Sequence, residues 1–106
     1  MSRYTQGRRL EYKARDLLEG FGYLVVRAAG SKGPVDLVAL CPHGSMPMLV
    51  QVKKNLKISG KEWDSLVSLA EEYRSLPVIA GNEGREFVFY AIAPDKKHKK
   101  RFKMYT

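Results

Sequence analysis

Hydrophobic residues in the first part of the chain recur at the spacing of one helical face, from about Thr5 to Glu19. Glycines at positions 20 and 22 predict that this helix ends there, because glycine adopts the left-handed conformation common just past a helix end. The predicted apolar face consists of Leu10, Ala14, Leu17, Leu18 and Phe21. We therefore predict an amphipathic helix that covers one side of a sheet.

Three strands are predicted next, because aliphatic and β-branched residues dominate three short runs: Tyr23 to Ala28, Val35 to Leu40, and Met48 to Lys54. A glycine-rich polar loop at 30–34 separates the first two, and it is either a simple turn or a loop that closes over phosphate. The connector at 41–47 contains two prolines and a glycine, which exclude regular structure. The third strand is expected to return antiparallel to the second.

A second helix is predicted from Ser59, because Ser59 and Glu62 have the spacing of a capping box. Its apolar face is formed by Trp63, Leu66, Val67, Ala70 and Tyr73. Leu69 widens this face, and the surplus is either core or a contact with a second copy of the chain. Pro77 is expected to end the helix.

Two further strands are predicted at Pro77 to Ala80 and Phe87 to Ala93, joined by a turn at 81–84. The resulting order is α-β-β-β-α-β-β within one domain at 1–106, because neither a repeat nor a linker divides the chain. A basic tail follows at about 95–106. Such a tail is either a solvated terminus or a source of additional phosphate contacts.

The net charge of +8, from 19 Lys and Arg against 11 Asp and Glu, favours an anionic partner. Nucleic acid is favoured over a membrane, because no apolar run approaches the roughly 20 residues of a spanning helix. The first residues do not resemble a signal peptide, so we expect a cytoplasmic protein. The lone Cys41 cannot form an internal disulfide, which agrees with a reducing compartment.

Polar residues interrupt the second and third strands where a plain core strand would be apolar: Asp36 in the second, and Gln51 and Lys53 in the third. Side chains two apart on a strand point the same way, so Gln51 and Lys53 are expected to share one site. Mg²⁺ prefers oxygen ligands, and together with carboxylates it can hydrolyse a phosphodiester. The alternative is a buried polar network that only stabilises the core.

Four oxygen donors are candidates for this metal: Asp36, the amide of Gln51, the backbone carbonyl of Val52, and Glu11. Glu11 lies at the edge of the first helix's apolar stripe, where it could reach the site. Its alternative role is an ion pair with Arg15, one helical turn later.

Four segments of the chain, spanning roughly Arg3 to Ala93, resemble the archaeal-type Holliday junction resolvases of the PD-(D/E)xK nuclease superfamily. They are Gly7-Arg8-Arg9-x-Glu11, Gly22-Tyr23-x-Val25-Val26-Arg27-x-Ala29-Gly30-Ser31-Lys32, Val35-Asp36-Leu37-Val38-Ala39 and Gln51-Val52-Lys53. The resemblance implies a restriction-endonuclease-like α/β fold with a central mixed five-stranded sheet flanked by helices. It also implies a homodimer, Mg²⁺ dependence with Mn²⁺ able to substitute, and paired cuts in branched double-stranded DNA.

Matched position by position, the resemblance implies catalytic roles for Glu11, Asp36, Lys53 and the loop residue Ser31, with Gln51 at the remaining catalytic position. We expect DNA contacts from basic side chains, namely Arg8, Arg9, Arg27, Lys32, Lys54 and Lys57. The family's dimer contact corresponds to the second helix, at Leu66, Leu69 and Tyr73.

The resemblance departs at Gln51, because the family ordinarily has glutamate there. Three interpretations are open: an active natural variant, a substitution that traps an inactive enzyme, and a junction-binding protein that has lost cleavage. Two other functions are also open, a nuclease of this fold that acts on flaps, forks or mismatches, and a non-catalytic junction-binding module. The expected location is cytoplasmic, at the nucleoid or in a host's cytoplasm if the source is viral.

Overall fold

The structure, a computed structural model, describes residues 3–28, 33–92 and 101–104, apart from the side chains of residues 3–7 and 43. The elements follow the predicted order α-β-β-β-α-β-β, with two additions: a sixth strand at the end, and a 3-10 helix in the connector at 41–47, where regular structure was not expected. The elements are α1 (Arg3–Gly20), β1 (Leu24–Arg27), β2 (Leu37–Leu40), a 3-10 helix (Pro42–Gly44), β3 (Met48–Val52), α2 (Gly60–Glu72), β4 (Leu76–Glu83), β5 (Glu86–Ile92) and β6 (Arg101–Met104).

The strands form one sheet in the order β1-β2-β3-β4-β5-β6. Only β3 and β4 pair in parallel among these six strands, and α2 is the crossover between them. The remaining neighbours pair antiparallel, including β2 with β3. The predicted α/β fold with a mixed sheet is therefore confirmed.

The two helices cover opposite faces of the sheet, because alternate residues of each strand point to opposite sides. Ala14 and Leu18 of α1 pack in a cluster that includes Val50. Trp63 of α2 packs in a second cluster that includes Leu49. Because Gln51 follows Leu49 by two positions, it lies on the face that α2 covers.

The end of α1 and the start of α2 follow the predicted signals. Gly22 has φ 95°, and the backbone N–H of Tyr23 donates to Leu18 while that of Gly22 donates to Glu19, which is a Schellman motif. Ser59 and Glu62 form the predicted capping box at the start of α2. These two boundaries thus follow from local sequence.

The apolar faces of the helices are narrower than predicted. Leu17, Phe21 and Tyr73 are exposed, while Ala14 and Leu18 of α1 are fully buried. Of the residues that the structure describes, none belongs to a helix both long and apolar enough to span a membrane.

The sheet has six strands where five were predicted. The additional strand, β6, lies in the predicted basic tail and pairs with β5, with Phe102 opposite Ala91. It was missed because its four residues, although they alternate between polar and apolar, are mostly exposed and continue a run of basic residues. The rest of the predicted tail, at 95–100 and 105–106, lies outside the described residues.

Two predicted boundaries around β4 were wrong. Helix α2 ends at Glu72 rather than at Pro77, because Arg74 adopts φ 50° and Pro77 already lies in β4. The hairpin turn is at Gly84, with φ 63°, rather than at 81–84, because Gly81 still pairs with Val88.

Gly81 allows the end of β3 to lie against β4. A Cβ at this position would lie 1.8 Å from the backbone carbonyl oxygen of Lys53. The neighbouring backbone bond from Lys53 N–H to the Ala80 carbonyl, 2.8 Å long, fixes this close approach. The position of Lys53 therefore depends on a glycine in the adjacent strand.

Gly81→Ala is expected to destabilise the fold by about 1–3 kcal/mol, because the Lys53 backbone must move to accommodate the methyl group. Urea unfolding followed by the fluorescence of the single Trp63 measures the change. Gly20→Ala is the matched control, since nothing lies within 4 Å of its added Cβ. Equal stability of the Gly81 and Gly20 variants would contradict the close approach.

Candidate active site

Asp36 is fixed against β3 by two hydrogen bonds. Its backbone N–H donates to the Val50 carbonyl at 2.8 Å, and its Oδ2 accepts from the Val52 N–H at 2.7 Å. Leu37 pairs with Val50 in the antiparallel register, so the next residue along each strand places Asp36 beside Gln51. The polar residues of the second and third predicted strands therefore meet at one point.

The Val52 carbonyl lies on the same side of β3 as Asp36, because the N–H and C=O of one strand residue point in the same direction. Its N–H already donates to Asp36. The carboxylate of Asp36 and this carbonyl thus share the edge of β3 that faces β2.

Burial raises the pKa of Asp36, and the negative charge of Glu11 raises it further. The hydrogen bond from Val52 and the charges of Lys53 and Arg27 partly oppose this rise. Because the folded-state pKa is raised, ionisation of Asp36 costs stability as the pH rises through that pKa. A cation beside the carboxylate would relieve this cost.

Gln51 is only 7 % exposed and is hydrogen-bonded at one end of its amide. Its Nε2 donates to Oε2 of Glu62 at 3.1 Å. Its Oε1 is buried and has no hydrogen-bond partner among the described residues. A buried acceptor without a donor is costly, so this oxygen is a strong candidate for a cation ligand.

Lys53 also contacts Glu62, with Nζ 2.6 Å from the same Oε2. This contact, together with the hydrogen bond from the Ser59 backbone, lowers the pKa of Glu62 to about 2. Both Gln51 and Lys53 therefore reach one carboxylate, which confirms that they share a site.

Glu62 was missed as a site residue because its capping role explained it completely. The signal available in the sequence was its place in the first turn of a helix that directly follows the strand of Gln51 and Lys53. That placement brings the start of α2 next to the end of β3.

Glu11 pairs with Arg27, with Oε1 2.8 Å from Nε, and both side chains are largely buried. The alternative pairing of Glu11 with Arg15 was wrong, because Arg15 instead pairs with Glu19 at 3.4 Å. The Arg27 guanidinium also lies 5.4 Å from the centre of the Tyr12 ring. Arg27 is thus held near Asp36 by a carboxylate and an aromatic ring.

Two of the predicted DNA-contacting side chains, Arg9 and Lys54, lie together. They line a cavity of about 150 Å³ with Leu10 and Asn82. Arg8 and Lys57 are exposed, while Ser31 and Lys32 lie outside the described residues. A second cavity, of about 230 Å³, is lined by Gly33, Pro34, Gln51, Lys61, Glu62 and Ser65.

The donors at this site fit a hard divalent cation. Among the described residues, no three His, Cys, Asp or Glu side chains form a metal-binding group. The donors here are mixed: a half-buried carboxylate at Asp36, the unpartnered Gln51 amide oxygen and the Val52 carbonyl. All three are oxygens of the kind that Mg²⁺ and Mn²⁺ bind.

The predicted dimer contact requires one correction. Leu66 is 0 % exposed inside the α2 core and cannot reach a second copy of the chain. Leu69 packs against that core, whereas Tyr73 is exposed.

The outer strands carry further exposed apolar residues that sequence reasoning did not single out. Leu24, Val26 and Leu40 are 64, 52 and 42 % exposed. Leu24 pairs with Leu40, and Val26 pairs with Val38, which packs against the α2 core. These residues therefore lie on the sheet face that α2 covers; the available signal was the unbroken apolar run of β1.

Comparisons with known proteins agree on one family. The model of the archaeal Holliday junction resolvase (Hjc) family matches residues 2–106. The solved structure of Hjc from the archaeal hyperthermophile Archaeoglobus fulgidus, a Holliday junction resolvase, is similar with a TM-score of 0.67 and 25% sequence identity. The match covers 93% of this chain and 83% of that chain.

Proposed function

This chain belongs to the archaeal Holliday junction resolvase family and is an endonuclease that resolves four-way DNA junctions; we propose that it does so at the site built around Asp36, Gln51 and Lys53. The observation that carries the proposal is the unpartnered, buried amide oxygen of Gln51 beside the half-buried carboxylate of Asp36. Such a pair of oxygens is costly to bury without a cation.

Nucleases of this family are typically dependent on a divalent metal, and we propose Mg²⁺, with Mn²⁺ as a substitute. Asp36, Gln51 and the Val52 carbonyl would hold it, and Glu11, whose charge acts on Asp36, would contribute directly or through water. When bound, the metal would lower the pKa of an attacking water and offset negative charge on the phosphate.

The protein's own groups position the DNA and the attacking water. The Lys53 ammonium, held at the site by Glu62, can orient the water or neutralise the phosphate. Glu11 holds Arg27 beside Asp36, where the guanidinium can bind a phosphate oxygen. We propose that Ser31 and Lys32 of the loop before Gly33 contribute contacts to the same phosphate.

We propose that the enzyme recognises junction shape through phosphate contacts rather than through base sequence. The net charge of +8 and the adjacent Arg9 and Lys54 support this, and Arg8 and Lys57 are further exposed cations. Residues 1–106 would act as one nuclease domain. We expect it to work in the cytoplasm.

Paired cuts require two active sites, and we propose a symmetric homodimer formed by one continuous apolar surface. This surface consists of Leu24, Val26, Leu40, Leu69 and Tyr73. Val38, which pairs with Val26 in the sheet, packs against the same α2 core as Leu69 does. This shared core supports a surface that runs from the exposed residues of the outer strands to α2. A two-fold dimer would match the near two-fold symmetry of a junction.

Asp36→Ala and Lys53→Ala are each expected to slow junction cutting by at least about 100-fold, because Asp36 would hold the metal and Lys53 would act on the phosphate or the attacking water. Cleavage of a labelled synthetic four-way junction is measured across a Mg²⁺ and a Mn²⁺ titration. Junction binding, measured without metal, should change by less than about threefold, since phosphate contacts elsewhere remain.

Asp16→Ala is the matched control, because this exposed carboxylate on α1 makes only a surface ion pair with Arg15, at 3.7 Å. Absence of cutting by the unmodified protein at every metal concentration would exclude the enzyme. Equal cutting of linear duplex would exclude junction specificity. Loss of binding in parallel with cutting would mean that Asp36 and Lys53 hold the fold instead.

Leu24→Asp is expected to weaken dimerisation at least about tenfold, because it places an unpaired charge inside the proposed apolar interface. Sedimentation velocity over a dilution series measures the monomer fraction. Leu17→Asp is the control, since Leu17 is exposed on α1, on the opposite face of the sheet. If both variants dimerise equally, the interface lies elsewhere.

A further inference from the structure

Glu62 uses its two carboxylate oxygens for two different purposes. Oε1 accepts from the Ser59 backbone N–H at 3.2 Å, which completes the capping box. Oε2 accepts from Gln51 Nε2 at 3.1 Å and from Lys53 Nζ at 2.6 Å. Capping needs only the first oxygen, so the contacts of the second need a separate explanation.

The contact with Gln51 fixes the orientation of its amide. A glutamine amide has a donor nitrogen on one side and an acceptor oxygen on the other. Because the ionised carboxylate of Glu62 has no hydrogen to donate and can only accept, the Gln51 nitrogen must face α2 and the oxygen must face away. That oxygen is the buried atom without a partner.

The charge of Glu62 also changes the balance at the site. The charges of Asp36 and Lys53 cancel, so a site with glutamine at position 51 would have no net charge without Glu62. Glu62 restores one negative charge next to Lys53, which is the charge that a glutamate at position 51 would otherwise give. The ammonium of Lys53 is thereby prevented from repelling a cation.

A glutamine and a glutamate therefore form a matched pair across β3 and α2. Two carboxylates at these positions would face each other across 3.1 Å and would disfavour one another's ionisation. An amide and a carboxylate instead make a hydrogen bond and leave one oxygen for a metal ion.

We infer that Glu62 is a positioning residue, which turns the Gln51 amide oxygen toward the metal site and supplies the negative charge that Gln51 lacks. This inference rests on the proposed function. It predicts that the two positions can exchange their side chains, because either arrangement gives one amide, one carboxylate and one hydrogen bond between them.

The test compares the unmodified protein with Glu62→Gln, Gln51→Glu and the double exchange Gln51→Glu/Glu62→Gln. Mg²⁺ binding is measured by calorimetry without DNA, and the Mg²⁺ concentration for half-maximal junction cutting is measured in parallel. Glu62→Gln is expected to weaken Mg²⁺ binding about 10–100-fold, as loss of a group that orients a metal ligand does. The double exchange should recover at least about tenfold of that loss, because the two changes are coupled.

Ser59→Ala is the control for the structural role of Glu62. It removes the hydroxyl that accepts from the Glu62 backbone N–H, at 3.1 Å, while the Oε2 contacts remain. It should lower the unfolding midpoint but leave Mg²⁺ affinity within about twofold, since a cap acts on helix stability.

Unchanged Mg²⁺ binding in Glu62→Gln, or a double exchange no better than Glu62→Gln, would overturn the inference. Failure of the proposed function gives a different result: the unmodified protein neither binds Mg²⁺ nor cuts a junction. If the unmodified protein cuts, Asp36→Ala does not, and Glu62→Gln titrates like the unmodified protein, only the role of Glu62 is wrong.

Discussion

The site depends on one carboxylate oxygen at which a strand and a helix meet. Oε2 of Glu62 accepts from both Gln51 and Lys53, which are two residues apart on the same side of β3 and its extension. Because a single acceptor holds both donors, the amide oxygen of Gln51 and the ammonium of Lys53 have fixed positions relative to Asp36. These contacts lie next to the end of the β2–β3 pairing, where Leu37 is opposite Val50.

Three local features keep that meeting in place. The capping box starts α2 at a defined residue, so Glu62 lies in its first turn. Because β3 pairs in parallel with β4, the Lys53 N–H donates to the Ala80 carbonyl. Gly81, which has no side chain, leaves room for the carbonyl oxygen of Lys53. On the other side, Asp36 is tied to Val52. The stability of the core and the geometry of the site therefore share the same backbone contacts.

Sequence patterns predicted much of this because they record local constraints. Strand alternation placed Gln51 and Lys53 on one side, and the glycine and capping signals placed the end of α1 and the start of α2. The patterns could not predict that Oε2 of Glu62 contacts Gln51 and Lys53. These contacts depend on where α2 packs on the sheet, which local sequence does not determine. The patterns also predicted apolar helix faces that were too wide. The periodicity of Leu66 is compatible both with the core and with an interface, and only the packed structure shows that Leu66 is fully buried. Strand β6 was not predicted because its side chains remain largely exposed, so that mainly backbone hydrogen bonds join it to β5.

The role of Gln51 is tested most directly by a structure of crystals grown with Mn²⁺, in which the metal is located by its anomalous scattering. The predicted result is a metal ion bonded to the Asp36 carboxylate and to Oε1 of Gln51, while Nε2 of Gln51 remains on Glu62. A metal ion bound by Asp36 and Glu62, with the Gln51 amide turned away from it, would contradict the account. A metal ion bound at neither Asp36 nor Gln51 would contradict it as well.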